Sequence, residues 1–452
     1  MVTARQKKMR PAQILALGFM GIILAGTLLL MLPISSSTGL GIGAVNALFT
    51  STSAVCVTGL TVIEVGRDLS LFGQIVLLAL IQIGGLGFMT MATTIFLLLG
   101  KRITLRERLV MQEALGEFRL TGLVRLTRNI LIMTVCIELC GALLLSTRFV
   151  PIYGWAKGLY YGVFHSISAF CNAGFDLVVE SESIIAFQND VVVNFTIMGL
   201  IILGGIGFSV IYDIVKKRRF QRFSLHTKVV LCVTVFLILF GAVAFFALEI
   251  DNPKTLGDPD MPWYSKGMGA LFQSVTVRTA GFNTISQDHL SLSSKILSML
   301  LMFIGASPAS TGGGVKTTTF AVVMLLVYNT IAGKPNLNLF KRRLSPGIAQ
   351  RALSIIVISI AIVLISAMGM SLVEPTSIPS ESLMYEVFSA FGTVGLSTGI
   401  TADLHVVSKF ILIITMFFGR VGPLTLTLAL ALRQSHNKSA AYKYPEDRLM
   451  VG

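Results

Sequence analysis

Long apolar runs alternate along the chain with short amphipathic segments, and the alternation repeats four times. Runs at about 13–33, 129–149, 229–249 and 351–373 each reach the ~20 apolar residues that a spanning helix needs. A second set, at about 72–99, 190–215, 294–330 and 408–432, predicts four helices running back. Between the members of each pair lies a shorter segment, about 43–60, 157–175, 266–282 and 381–396. These hold too few apolar residues to span and predict re-entrant segments. The pattern describes an all-α polytopic membrane protein. It has four helix–pore-loop–helix repeats with pseudo-fourfold symmetry around one pore, and eight spans. The repeats occupy 11–100, 129–216, 228–332 and 351–432, followed by a tail at 433–452. An even number of spans puts both termini on one side. The run Ile14 to Leu32 follows a basic flank but precedes no small-residue cleavage site, so it reads as a retained span.

Each re-entrant segment ends in a similar loop: Ser53–Leu60, Ser168–Phe175, Val275–Phe282 and Ser389–Leu396. Their aligned glycines, Gly59, Gly174, Gly281 and Gly395, are 115, 107 and 114 residues apart. Non-helical backbone at membrane depth is tolerated only where protein buries it or water lines it. Glycine permits the φ > 0 conformations that let neighbouring carbonyls face one axis. Four copies therefore predict a ring of carbonyls that replaces part of a cation's hydration shell. The ring residues would be Val57, Thr58 and Gly59, then Asn172, Ala173 and Gly174. The other half would be Thr279, Ala280 and Gly281, then Thr393, Val394 and Gly395. A short helix entering from outside aims its partly negative C-terminal end at the same cavity.

The returning helices carry a second mark: Gly84-Gly85-Leu86-Gly87-Phe88, Gly204-Gly205-Ile206-Gly207-Phe208 and Gly419-Arg420-Val421-Gly422-Pro423. In the first two, small residues predict close backbone packing. The third returning helix differs. It holds helix breakers and hydroxyls from Gly305 to Thr319, including Ser310, Thr311, Gly312, Gly313, Gly314 and Lys316. Val315 separates the last glycine from Lys316 and no strand precedes, so this is not a phosphate loop. A broken helix below the ring predicts a gate. Arg420 lies in an apolar helix, where a lone charge costs roughly 2.5–3.5 kcal/mol. It should face the interior and donate to the loop's carbonyls. Arg278 and Glu138 are further candidates for buried pairing.

The chain is 54% hydrophobic and 13% charged, whereas a soluble chain needs roughly 25% charged residues. The net charge of +14 does not indicate a nucleic-acid partner, because it is sorted by loop. Of 36 Lys and Arg, 26 fall in 1–10, 99–128, 216–228, 333–351 and 433–452. Of 22 Asp and Glu, 15 fall in the opposite set, from Glu64 and Asp68 to Asp403. That alternation places both termini in the cytoplasm. The odd cysteine count has no framework spacing, which argues against structural disulfides. Cys136 and Cys140 have helical spacing and no histidine partner, which reads as packing, and the histidines show no zinc pattern. No intramembrane nucleophile or acid–base constellation supports an enzyme.

Taken as a set, the Gly loops, the Gly-Gly-x-Gly-Phe marks, the Gly305–Thr319 break and Phe418-Gly419-Arg420-Val421-Gly422-Pro423 resemble the Trk/Ktr/HKT superfamily of potassium transporters. The resemblance covers about 10–432. The chain begins directly with the first repeat, which resembles the Ktr branch, the membrane subunit of a bacterial potassium uptake system. The resemblance implies a plasma-membrane homodimer with one pore per chain, docked on a cytoplasmic nucleotide-binding regulatory ring. It implies potassium at the filter carbonyls, no cofactor, and sodium as an activator. It also implies that Gly305–Thr319 is the intramembrane gate and that Arg420 contacts it. In plant relatives Ser at the first filter position accompanies sodium preference, so Gly59 favours potassium. A sodium-selective or poorly selective pathway on the same scaffold is the alternative. Both channel-like flux and sodium-coupled symport are compatible with the resemblance.

Overall fold

The computed structural model describes residues 11–87, 90–91, 107, 109, 110, 112, 123–178, 183–334, 336–423 and 425. Phe88, most of the basic segment 99–128, the segment 1–10, the end of the fourth returning helix and the tail 433–452 lie outside them. The outward helices are α1 (Pro11–Met31), α4 (Leu123–Tyr153), α8 (Leu225–Glu249) and α12 (Pro346–Val373). All four contain windows long and apolar enough to cross a bilayer, yet only 22–39% of each window is buried. Their apolar outer faces therefore need lipid, not water, as solvent. The re-entrant helices are α2 (Ala44–Cys56), α5 (Trp155–Phe170), α9 (Trp263–Thr276) and α13 (Ser380–Gly392). They follow the predicted segments closely and are mostly buried at their filter ends. Trp155 and Trp263 each open a re-entrant helix and are 83% and 85% exposed, as aromatic residues at a membrane interface are.

Small residues set the spacing between outward and re-entrant helices. A Cβ at Gly26, Gly141 or Gly241 would strike the hydroxyl of Ser51, Ser166 or Ser274 respectively. Those hydroxyls instead donate to the carbonyls of Ile23 (2.8 Å), Glu138 (2.6 Å) and Ile238 (2.7 Å). Close backbone approach with a hydroxyl bonding across the seam is how helices associate in lipid. At the opposite end the outward helices are tied to the start of their returning partners. Arg148 pairs with the N-cap Asp190 at 2.7 Å, Glu249 accepts from Ser291 N at 3.0 Å, and Glu374 accepts from His405 N at 2.9 Å.

The returning elements depart from expectation. They are α3 (Leu71–Leu86), α6 (Val191–Gly205) with α7 (Phe208–Lys217), α10 (Leu292–Phe303) with α11 (Thr317–Ile331), and α14 (Val406–Val421). The break in the third repeat is not unique. Helix α6 ends at the Gly-Gly mark, and α7 leaves it at 97°. The residues closing α3 and α14, Gly87 and Gly422, have φ +83° and +94°, and Gly207 has φ +95°. The glycine marks are thus helix terminators as well as packing surfaces, because a residue with positive φ and extended ψ, open in practice only to glycine, ends the ladder. Among the described residues four helices are long and apolar enough to cross a bilayer, and five if α6 and α7 count as one span.

Candidate functional site

Four re-entrant helices end at one axis, and the loops beyond them form a closed ring. The loop glycines Gly59, Gly174, Gly281 and Gly395 have φ +95°, +68°, +82° and +93° in chain order. Two residues earlier, Val57, Asn172, Thr279 and Thr393 also have positive φ, from +51° to +69°, while the residues between do not. Alternating handedness along a short backbone turns successive peptide groups toward a common side. The ring closes by contact. A Cβ on Gly59 would strike the carbonyl of Ala173, on Gly174 that of Ala280, on Gly281 that of Val394, and on Gly395 that of Thr58. Each glycine is therefore required by its neighbour's backbone as well as by its own φ.

Hydroxyls of the re-entrant helices brace the ring from behind. Gly59 N and Gly395 N donate to Ser53 Oγ and Ser389 Oγ, each at 3.0 Å. Ser168 Oγ donates to Phe175 O at 2.7 Å, and Thr276 Oγ1 donates to Phe282 O. Sequence reasoning assigned these four residues no role. Their signal was a hydroxyl five to six residues before each ring glycine.

On one side the ring glycines floor a cavity of about 730 Å³. Its wall carries the carboxylates of Glu64, Asp68, Asp176 and Asp288 and the cation of Arg67. Asp176 is half-buried there. Loss of water pushes its carboxyl up to about 7, against the hydrogen bonds of Val178 N and Ser183.

On the other side lies the interrupted stretch between α10 and α11. Thr317–Thr319 belong to α11, so the break is shorter than expected and runs from Ile304 to Lys316. Hydroxyl residues are accommodated in a first helical turn. The break is a packed plug held by backbone bonds. Ser307 N donates to Gly205 O (3.0 Å), Thr311 N to Gly204 O (3.2 Å), and Phe208 N to Ala309 O (2.8 Å). The plug thus occupies the break between α6 and α7. Toward the fourth repeat, Gly313 N donates to Thr393 Oγ1 (2.9 Å) and Gly314 N to Gly419 O (3.3 Å). Cβ atoms at Gly312 and Gly313 would strike Thr279 Oγ1 and Thr393 Oγ1, so these glycines lie against the ring's inner layer. Ser310 Oγ donates to Ser307 O (2.6 Å), a bond internal to the plug. Gly305 does not match Gly419 structurally. Gly305 packs on Gly313 of its own plug, whereas Gly84, Gly204 and Gly419 pack on the last carbonyls of re-entrant helices, those of Val55, Phe170 and Phe391.

Two cations serve this plug. Lys316 Nζ donates to Gly312 O at 2.7 Å. Arg420 donates from one guanidinium nitrogen to Thr311 O, as expected, and from the other to Gly84 O and to Gly85 O (3.3 Å). The second contact was not foreseen, although helix-terminal carbonyls without partners are regular hydrogen-bond acceptors. Arg420 therefore joins the plug to the end of α3. Glu138 and Arg278 correct the expectation of charge pairing. Glu138 accepts from Gln82 Nε2 at 3.1 and 3.2 Å, an amide partner. Arg278 is buried with no ion pair among the described residues. Asn172 and Thr279 meet across the inner layer at 3.1 Å.

The sequence model of the TrkH family, described as a cation transport protein, matches residues 5–441. The chain is 42% identical to the Ktr system potassium uptake protein B of Bacillus subtilis, over 98% of this chain and 97% of that protein. It is 39% identical to the potassium/sodium uptake protein NtpJ of Enterococcus hirae, over 99% and 98%. The crystal structure of the potassium transporter TrkH from Vibrio parahaemolyticus superposes with a TM-score of 0.74 at 18% identity, covering 95% of this chain and 86% of that one. That last likeness concerns the fold.

Proposed function

Because the chain belongs to the TrkH family of cation transport proteins, we propose that it carries potassium across a bacterial plasma membrane through the ring at Gly59, Gly174, Gly281 and Gly395. It is a membrane transporter and not an enzyme. The observation that carries the potassium reading is the closed ring of positive-φ glycines, each abutting the carbonyl before the next. Such a ring offers oxygens to a dehydrated cation. A cation needs no chemical energy to cross, since the membrane potential supplies about 2.3 kcal/mol per 100 mV. The plug at Ile304–Lys316 acts as the gate, and Arg420 holds it shut by bonding its carbonyls and repelling a cation at the constriction. Control comes from a cytoplasmic regulatory subunit docked on the basic cytoplasmic face, with Lys216, Lys217, Arg218 and Arg219 in its contact surface, beneath a homodimer. The name of the Enterococcus relative supports a second reading, in which sodium also passes or activates.

The test is ion flux into liposomes holding the purified chain, with potassium and sodium varied independently. Potassium should pass in preference to sodium. Gly59→Ser, whose side chain must displace the Ala173 carbonyl, should lower that preference while the protein still inserts. Equal competition by the two ions in the parent chain favours the second reading, and an unchanged ratio in the variant removes Gly59 from the filter.

A further inference from the structure

A second cavity, of about 410 Å³, opens at the basic end of the molecule, away from the ring. It lies between the last turns of α11, a hairpin formed by β1 (Asn338–Leu339) and β2 (Arg342–Arg343), and the first turns of α12. Its polar rim carries Lys334 and Arg343, with Asn329 and Gln350 beside them. Its depth is apolar, walled by Leu326 and Leu353. At 1.5 Å per helical residue these leucines sit about 8–10 Å below the helix ends. Because α12 contains a window long and apolar enough to span a bilayer, a cavity at its first turns falls at headgroup level and reaches toward the acyl region.

Among the described residues, no counter-charge faces its two cations. The sequence contains no Asp or Glu between Asp288 and Glu374. Among the described residues, neither Lys334 nor Arg343 makes an ion pair. Lys334 Nζ lies 5.0 Å from the centre of the Tyr328 ring and 3.5 Å from its hydroxyl. That contact orients the ammonium without neutralising it.

The walls are fixed before any ligand arrives. Lys334 N donates to Asn329 O and Asn329 Nδ2 donates to Asn336 O, each at 2.9 Å. Leu344 N donates to Leu337 O at 2.8 Å, extending the hairpin by one rung. The hairpin turns through Phe340 and Lys341, at φ +49° and +61°. Neither is glycine, so the tight turn is held from outside. Lys228 Nζ, near the start of α8, lies 6.0 Å from the Phe340 ring centre and 5.7 Å from that of Phe220. The turn places Arg343 on the cavity and leaves Arg342 and Lys341 off it.

We propose that this cavity binds one anionic phospholipid, with its phosphate between Lys334 and Arg343 and its acyl chains along Leu326 and Leu353. A basic recess between spanning helices at the membrane surface suits that ligand. Arginine takes phosphate oxygens two at a time, and lysine adds a point charge. A free phosphate would satisfy the rim and leave the apolar depth empty. The bound lipid would join α11, which continues from the plug, to α12. The site lies outside the ion path, so it stands or falls apart from the potassium reading.

The experiment is a thermal unfolding series on the full-length protein in a zwitterionic detergent. Dioleoylphosphatidylglycerol should raise the midpoint by several degrees, and dioleoylphosphatidylcholine or inorganic phosphate should not. Lys334→Gln with Arg343→Gln should lose most of that shift. Lys341→Gln with Arg342→Gln removes as much charge from the same segment and should keep it. Lys334→Arg with Arg343→Lys should also keep it, which separates loss of the site from loss of the fold. The proposal is overturned if the parent protein shows no shift, or if phosphatidylcholine or inorganic phosphate reproduces it. An undiminished shift in the Lys334/Arg343 glutamine variant overturns it equally.

Discussion

Two adjacent glycines of identical appearance in the sequence have opposite requirements. A Cβ on Gly204 would strike the carbonyl of Phe170 and crowd Asn172 and Thr311. At Gly205 the nearest atoms are Asn172 Nδ2 at 3.4 Å and the Ala306 methyl at 3.9 Å, ordinary contact distances. Gly204→Ala should therefore cost about 1–3 kcal/mol through forced repacking. It should also lower flux, because Asn172 is pressed toward Thr279 in the inner layer. Gly205→Ala should leave the thermal midpoint and the flux within error of the parent. Equal effects at both positions would show that the α6 end relaxes freely. A pattern of small residues in the sequence identifies the surface of contact, but which member of a doublet bears it depends on helix rotation about its axis. The partner of Glu138 was hidden for a similar reason. Gln82 lies on a different repeat, and nothing local to either residue pairs them.

At the scale of elements, the outward and re-entrant helices were legible from hydrophobic run length and from where glycine follows a short amphipathic segment. The breaks in the returning helices were only partly so. In the third repeat consecutive glycines, serines and a proline declare the interruption. In the second, Gly204-Gly205 reads equally as packing, and the plug that fills the 97° turn comes from a different repeat. The plug and Arg420 form one unit, because the guanidinium spans from Thr311 to the end of α3. Arg420→Ala should raise basal potassium flux several-fold and weaken any dependence on a regulatory subunit. Deleting Gly312, Gly313 and Gly314 should do the same, since it removes the residues seated under Thr279 and Thr393. Expression and monodispersity identify misfolded variants beforehand. Well-folded variants that conduct like the parent would reassign the gate.

For the whole molecule, the acidic cavity on one side of the ring predicts a flux that depends on pH. With the Asp176 carboxyl pushed up to about 7, the group is largely neutral in acid and becomes an anion above that value. Each added negative charge at the mouth of a narrow path raises local cation concentration, and salt weakens the effect. Flux at subsaturating potassium should accordingly rise from about pH 6 to about pH 8 in dilute buffer, and less steeply at high ionic strength. Asp176→Asn should flatten this rise and leave the selectivity ratio unchanged. A pH profile identical in the variant would move the titrating group elsewhere in that cavity.

The contact that closes the ring is between Thr58 and Gly395, in the first and last repeats. Synthesis runs from one to the other. At roughly 5–20 residues per second, the interval between the emergence of Gly281 and that of Gly395 is roughly 6 to 23 s. During that time three of the four loops are made and the ring stands open where the fourth belongs. The plug, made in the same interval, docks partly on α6, which is already in place, and partly on Thr393, Gly419 and Arg420, which are not. A half-made copy therefore lacks both the closed ring and part of the seat on which the plug rests.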